Sequence, residues 1–174
     1  LAEAVPSAAY RCNLAALQCT SLTGGIKAAV GPTAHALMIA ADEKRRRFYL
    51  SDNANHRLIL LDFDGNVLDV TAPRRVIYPN ELAVEESGGL VVVDTNHHRL
   101  VRISVERDRF GPDLWEMRTD SGGVYRPGRI WPMDLARAPG SGWWVLNARD
   151  GMKEADVLLF SSDGKALKRI DLGE

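Results

Sequence analysis

Apolar residues recur along this chain in short runs set off by polar turns. The runs "FYL" (Phe48–Leu50), "LVVV" (Leu90–Val93) and "WWVL" (Trp143–Leu146) are rich in β-branched or aromatic residues, and turn-forming residues bound each one. That is the pattern of a short strand. A shorter apolar stretch precedes each run, at Leu37–Ala40, Leu82–Val84 and Leu135–Ala136, and a third follows it in "RLILLDF", "RLVRISV" and "DVLLF". In the first and third blocks an Asp-Gly pair, Asp64-Gly65 or Asp163-Gly164, leads into a fourth strand. Asp-Gly between apolar runs signals a hairpin whose two central residues both take positive φ. The second block carries a longer loop there, "ERDRFGPD", before "LWEMRT". No segment shows a helical period; "EAVPSAAY" comes nearest, and Pro6 interrupts it.

Four short strands repeated in this order predict an all-β chain of β-propeller blades. A sandwich or an up-and-down barrel is the alternative, but neither needs equivalent turns every four strands. The expected blades are 34–72, 78–120 and 130–172. A hairpin over 8–24 is read as part of another, and 1–174 as a single propeller-type domain. The corner between second and third strands repeats as D-x-x-[NH]-H-R-L, with Asp52 and Arg57 in one copy and Asp94 and Arg99 in the next. A catalytic site is built once, whereas a repeated turn is built once per repeat. These four residues are therefore read as structural: the Asp accepts from N–H groups freed by its turn, and the Arg pairs with it. His56 and His98 fall at equivalent positions, and His97, opposite Asn55, is the freer of its pair. Two sequential histidines at a strand end face opposite ways, which disfavours chelation of one ion.

Cys12 and Cys19 sit in "YRCNLAALQCTSL". If the loop centres on Ala15 and Ala16, the cysteines fall opposite each other on paired strands, within reach of a disulfide. That places the protein in the periplasm or outside the cell. The other reading is two buried thiols in the cytosol.

Composition narrows the partners. The formal net charge is −1, whereas phosphate binding needs a surplus of Lys and Arg, so no nucleic acid is expected. No apolar stretch approaches a membrane span. The basic run Lys44–Arg47 reads as a solvated hairpin tip. Trp143 and Trp144 alternate faces, so one belongs to the core; the other, with Trp131 or Trp115, either packs or forms a binding surface. No catalytic motif occurs, and no catalytic or cofactor-binding residue is assigned.

"YPNELAVEESGGLVVVDTNHHRLVRI" resembles an NHL repeat, and "FYLSDNANHRLILLDFDGNVL" resembles its second half. "WWVLNARDGMKEADVLLFSSDGKAL" is a degenerate copy, with Asn147 replacing the Asp and Asp156 standing where the Arg would be. The resemblance implies a non-catalytic module that binds a protein or ligand. "YPNEL" is also similar to the "PNG" that precedes the innermost strand in gluconolactonase-like propellers, with Glu81 in place of Gly. That second resemblance implies a metal-dependent lactonase or lyase with a divalent ion in the channel. Asn80, His35 and Asp134 would be its ligands, His35 and Met133 being the counterparts of Asn80. Against it, Asn80 also fits as a cap after Pro79, and such enzymes need more carboxylates. About three and a half blades fall short of a ring. The chain is expected to be part of a larger propeller, the alternatives being a distorted four-bladed ring and a homodimer joined through open blade faces.

Overall fold

In the computed structural model, described over residues 10–13, 15–31, 36–117, 131–149 and 153–173, almost all regular structure is antiparallel strand. Strands β1 (Tyr10–Asn13) and β2 (Gln18–Ser21) form a two-stranded sheet. Helix α1 (Thr23–Val30) follows. Three four-stranded meanders come next. Sheet I holds β3 (Ala36–Asp42), β4 (Arg47–Asp52), β5 (Arg57–Asp62) and β6 (Val67–Val70). Sheet II holds β7 (Pro79–Val84), β8 (Leu90–Asp94), β9 (Arg99–Glu106) and β10 (Arg109–Glu116). Sheet III holds β11 (Trp131–Arg137), β12 (Trp143–Arg149), β13 (Glu154–Phe160) and β14 (Ala166–Asp171). The first strand of each sheet is the innermost, since β7 lies against both β3 and β11.

The sheets stack face to face, and strand alternation supplies both faces of each. Tyr49, Leu58 and Leu60 of sheet I pack on Leu82, Val92 and Val101 of sheet II. Val91, Val93 and Leu100, on the other side of sheet II, pack on Trp143, Val145 and Leu158 of sheet III. The remaining side of sheet I, with Leu50, Ile59 and Leu61, is covered by Leu22 and Ile26 at α1.

The sequence reading did not expect α1. Two glycines in its first turn, Gly24 and Gly25, lower its intrinsic propensity. The signal present was Leu22, Ile26 and Val30, spaced four apart on one face. Gly31 at φ +94° ends the helix, its N–H bonding the Lys27 carbonyl at 2.9 Å.

Three turns differ from expectation. At both Asp-Gly pairs only the glycine takes positive φ, +88° at Gly65 and +83° at Gly164. Each is a type I turn closed by a left-handed glycine, and a register shift follows in each ladder. A Cβ on Gly65 would stand 2.6 Å from Leu22 Cδ2, so the glycine also lets α1 approach. The two-residue turn with both φ positive lies instead at Arg107 (φ 46°) and Asp108 (φ 62°). The stretch read as a long loop is therefore paired strand, bulged between Phe110 and Asp113. Pro112 is tolerated there because β10 is an edge strand. The basic run is more than a solvated tip. Arg45 bonds Asp42 and the Glu86 and Ser87 carbonyls of the next sheet, and Arg47 pairs with Asp108.

Cys12 stands opposite Cys19 in the β1–β2 register, and the two are joined by a disulfide.

Candidate functional site

The repeated corner has the same geometry in sheets I and II. Asp52 (φ −91°, ψ 77°) and Asp94 (φ −95°, ψ 75°) end the second strand, and a single 3-10 turn follows. His56 and His98 then take the left-handed conformation at φ 56° and close the turn just before the third strand. Both aspartates are fully buried. Arg57 Nε donates to Asp52 Oδ2 at 2.6 Å, and Arg99 Nε to Asp94 Oδ2 at 2.8 Å. The turn adds a partner to each, Asn55 Nδ2 to Asp52 Oδ1 at 2.8 Å and His97 Nδ1 with Asp94 Oδ2 at 2.7 Å. His97 is thus engaged, and neither histidine of the pair lies on a strand. The backbone N–H bound by Asp94 comes from Ile77, in the segment entering the sheet, and not from the turn itself (2.7 Å). The arginine holds that incoming segment too: Arg57 Nη2 donates to the Val30 carbonyl and Arg99 Nη2 to the Arg75 carbonyl. Burial alone would weaken the Arg99 charge, but hydrogen bonds to Glu116 and Asp94 outweigh it and hold its pKa above the ordinary value.

Sheet III keeps the register and exchanges the charges. Asn147 pairs with Asp156 as Asp94 pairs with Arg99, and Asn147 Nδ2 donates to Asp156 Oδ1 at 2.7 Å. The buried carboxylate is now Asp156. Its cations are Arg169, at 2.6 Å, and Arg149, at 2.9 Å in an ion pair whose Nε lacks hydrogen-bond alignment. The sequence showed Asn147 and Asp156, but nothing there named Arg149 and Arg169 as the replacements.

At the starts of the innermost strands, polar side chains tie one sheet to the next. Asn53 Nδ2 donates to the Pro79 carbonyl at 3.2 Å, and Thr95 Oγ1 to the Pro132 carbonyl at 2.7 Å. Asn80 links the two ties: its Oδ1 accepts from Asn53 Nδ2 at 2.9 Å, and its Nδ2 donates to Thr95 Oγ1 at 2.8 Å. Outside this ladder Tyr78 is exposed, its N–H bonded to His56 Nδ1. Trp131 holds the equivalent place beside His98, ring centroids 5.9 Å apart. Trp143 is core, Trp115 is buried, and Trp144 is half-buried on the other face of its strand.

The three candidate metal ligands do not form one shell in the described residues. Asn80 has both ends of its amide engaged, and Met133 Sδ lies 3.8 Å from its Nδ2. Asp134 Oδ1 accepts from the Leu135 N–H at 2.7 Å. His35 lies outside the described residues. The ladder also moves it out of step: each first strand has a bulge, and the residue of sheet I matching Asn80 is Leu37, flanked by the Ala36↔Asp52 and Met38↔Ser51 pairs. Among the described residues no group of three or more His, Cys, Asp or Glu is placed to hold an ion. The two described candidates, Asn80 and Asp134, are thus engaged by groups of the chain itself.

Glu81 and Asp134 occupy matching positions on β7 and β11, each bonding the next backbone N–H. Burial, aided by the Asp134 charge, pushes the Glu81 carboxyl above its ordinary pKa, although the Leu82 N–H opposes this. A raised folded pKa means that Glu81 favours folding fully below its ordinary pKa, and that this contribution is lost as pH rises through the folded value. Glu81→Gln is expected to raise the melting temperature at neutral pH and leave it unchanged below about pH 4. Thermal denaturation across that range checks it.

At the opposite end of the innermost strands lies a cavity of about 510 Å³, lined by Asp42, Lys44, Arg45, Val84, Glu86 and Arg137, among others. Asp42 and Arg45 are satisfied by each other at 3.0 Å.

Known structures share this architecture. A virginiamycin B lyase from Staphylococcus aureus, with quinupristin, superposes at TM-score 0.63 and 13% identity over 96% of this chain and 48% of its own. The Dos1 propeller gives TM-score 0.59 and 12% identity over 97% and 41%. The periplasmic gluconolactonase PpgL of Pseudomonas aeruginosa gives 0.58 and 17% over 82% and 41%. The chain spans about half the length of such neighbours, 48% for the first two structures found. No protein-family profile and no curated protein matches it. At these identities the likeness shows the fold, a β-propeller arrangement of four-stranded sheets.

Proposed function

We propose that the chain is a non-catalytic, NHL-like propeller module that binds a protein or ligand as part of a larger protein. The observation carrying this reading is the use made of Asn80. The residue that would anchor a channel metal is instead the middle of a hydrogen-bonded tie from Asn53 to Thr95. The corner aspartates and arginines are likewise spent on holding each sheet to the segment that enters it. The recurrence of that corner in sheets I and II supports the NHL-like assignment. The Cys12–Cys19 disulfide supports a site of action outside the cytoplasm, in keeping with a neighbour described as periplasmic.

A second reading, a metal-dependent lactonase or lyase, draws on the matched carboxylates of Glu81 and Asp134, and on neighbours named as a lyase and a gluconolactonase. The test is thermal melting with EDTA, and then with Ca²⁺, Mn²⁺ or Zn²⁺, alongside a lactone-hydrolysis assay. Under the binding-module reading the melting temperature stays the same throughout and no hydrolysis appears. Hydrolysis that EDTA abolishes and one of these ions restores would establish the enzyme.

A further inference from the structure

We propose that the rings of Tyr78 and Trp131 form a docking rim for a proline-rich peptide in the polyproline II conformation. The proposal rests on the binding-module reading and names its partner. The two rings hold the same place in successive sheets. Each comes directly before the proline, Pro79 or Pro132, that opposes the end of the second strand at Asp94 or Asn147. Each stands beside the corner histidine of the preceding sheet, with ring centroids 6.3 Å apart for His56 and Tyr78 and 5.9 Å for His98 and Trp131. Both rings are open to solvent, Tyr78 at 43% and Trp131 at 36%. Tyr78 moreover sits at φ 59°, a left-handed conformation uncommon outside Gly, Asn and Asp, and residues held in this way gather at ligand contacts. The rim runs across the strand ends of neighbouring sheets and not over a sheet face. A further sheet stacked on either end of the array would therefore extend the rim without covering it.

Spacing and hydrogen-bonding chemistry select the occupant. Sheets packed face to face lie about 10 Å apart, and one three-residue turn of polyproline II rises about 9 Å. Rings on successive sheets are thus spaced to meet every third residue of such a chain, and aromatic-lined surfaces are what recognise it. The polar groups agree. His56 Nδ1 accepts the Tyr78 N–H at 3.2 Å, so a neutral His56 ring carries its proton on Nε2 and can donate it. Trp131 Nε1 is a donor only, and the Tyr78 hydroxyl can donate. The side-chain acceptors close by are engaged within the chain: Asp52 and Asp94 by Arg57 and Arg99, and Asn80 Oδ1 by Asn53. Donors beside engaged acceptors suit a run of prolines, whose backbone has carbonyls and no N–H. A sugar would bring hydroxyl donors that these acceptors could not serve. A nucleic acid would require a surplus of cations, which a net charge of −1 does not supply.

Fluorescence anisotropy of a labelled decaproline peptide, titrated with the full chain, tests this. Saturable binding is expected, and a Gly-Ser peptide of equal length should not bind. Trp131→Ala and Tyr78→Asn are each expected to weaken binding about tenfold or more; Asn is chosen because it accepts the left-handed backbone. Trp131→Phe keeps a ring and should bind nearly as the parent does. Tyr10→Ala, at an exposed tyrosine on β1, should change nothing. Melting temperatures of all four variants should match the parent, so that a lost contact is separated from a lost fold. No saturable binding, equal binding of the Gly-Ser peptide, stronger competition by a cello-oligosaccharide or oligo-dT than by unlabelled decaproline, or binding indifferent to both Trp131→Ala and Tyr78→Asn would each overturn the proposal. If decaproline fails to bind and no EDTA-sensitive hydrolysis appears either, this partner falls while the binding-module reading stands; such hydrolysis would remove both.

Discussion

Asp94→Ala is expected to destabilise the protein by about 3–5 kcal/mol, the cost of removing one partner from a buried ion pair, and to lower its melting temperature by about 10 °C. The size follows from what the carboxylate serves. Fully buried, it accepts from Arg99 Nε and the Ile77 N–H and meets His97 Nδ1. Alanine removes the acceptor of all three from a position that is itself fully buried, although Arg99 and His97 are partly exposed. Asp94→Asn keeps the shape and one acceptor oxygen, so its cost should fall to about 1–3 kcal/mol. Asp113→Ala is the control. Its partner Arg75 is 21% exposed and Asp113 itself 35%, and a pair so open to solvent contributes under about 1 kcal/mol. Urea melts of the three variants should rank Asp94→Ala, Asp94→Asn, Asp113→Ala. Equal effects would mean that the corner is not the structural clamp described here.

Trp143→Ala should cost a similar amount, about 3–5 kcal/mol, for a different reason. Trp143 is 1% exposed and is among the largest fully buried side chains. It fills the space between sheets II and III with Val93, Trp115 and Phe160. Truncation opens a cavity that rigid sheets close only in part. The indole N–H has no hydrogen-bond partner among the described residues, so the ring's value lies in its volume and in the Arg137 guanidinium 5.3 Å from its centroid. Trp143→Phe keeps a ring and removes the unsatisfied donor; it should cost under about 1.5 kcal/mol. A Phe variant as unstable as the Ala variant would contradict this account.

What the sequence revealed of the fold depended on whether a side chain carried the signal. The second and third strands and their shared corner could be read because Asp52, Arg57, Asp94 and Arg99 mark the turn chemically. Cys12 and Cys19 were read as opposed because the short loop between them fixes the register. The first strand of sheet I was located, but the counterpart of Asn80 was set at His35, two residues before Leu37. In "HALMIAA" the apolar run has no polar residue to set its phase, and the bulge between Ala36 and Met38 leaves no mark in composition. The Asp-Gly turns were correctly located, but two hairpin geometries accept that dipeptide. The exchange of Asn147 and Asp156 in sheet III was visible, but its cations escaped notice because Arg149 and Arg169 come from different strands and meet at Asp156 only after folding. Asn80 was correctly singled out as standing where an innermost strand begins. Its bonds to Asn53 and Thr95, continued by the Thr95–Pro132 bond, connect three sheets' worth of chain, which no local spacing displays.

Sheet II is the middle layer of the described stack, with sheet I against one face and sheet III against the other. In a row of layers held by neighbours, each is secured by the interfaces on its two sides. The amides of β8 and β9, central in that middle layer, should therefore be among the slowest of the described residues to exchange with solvent deuterium.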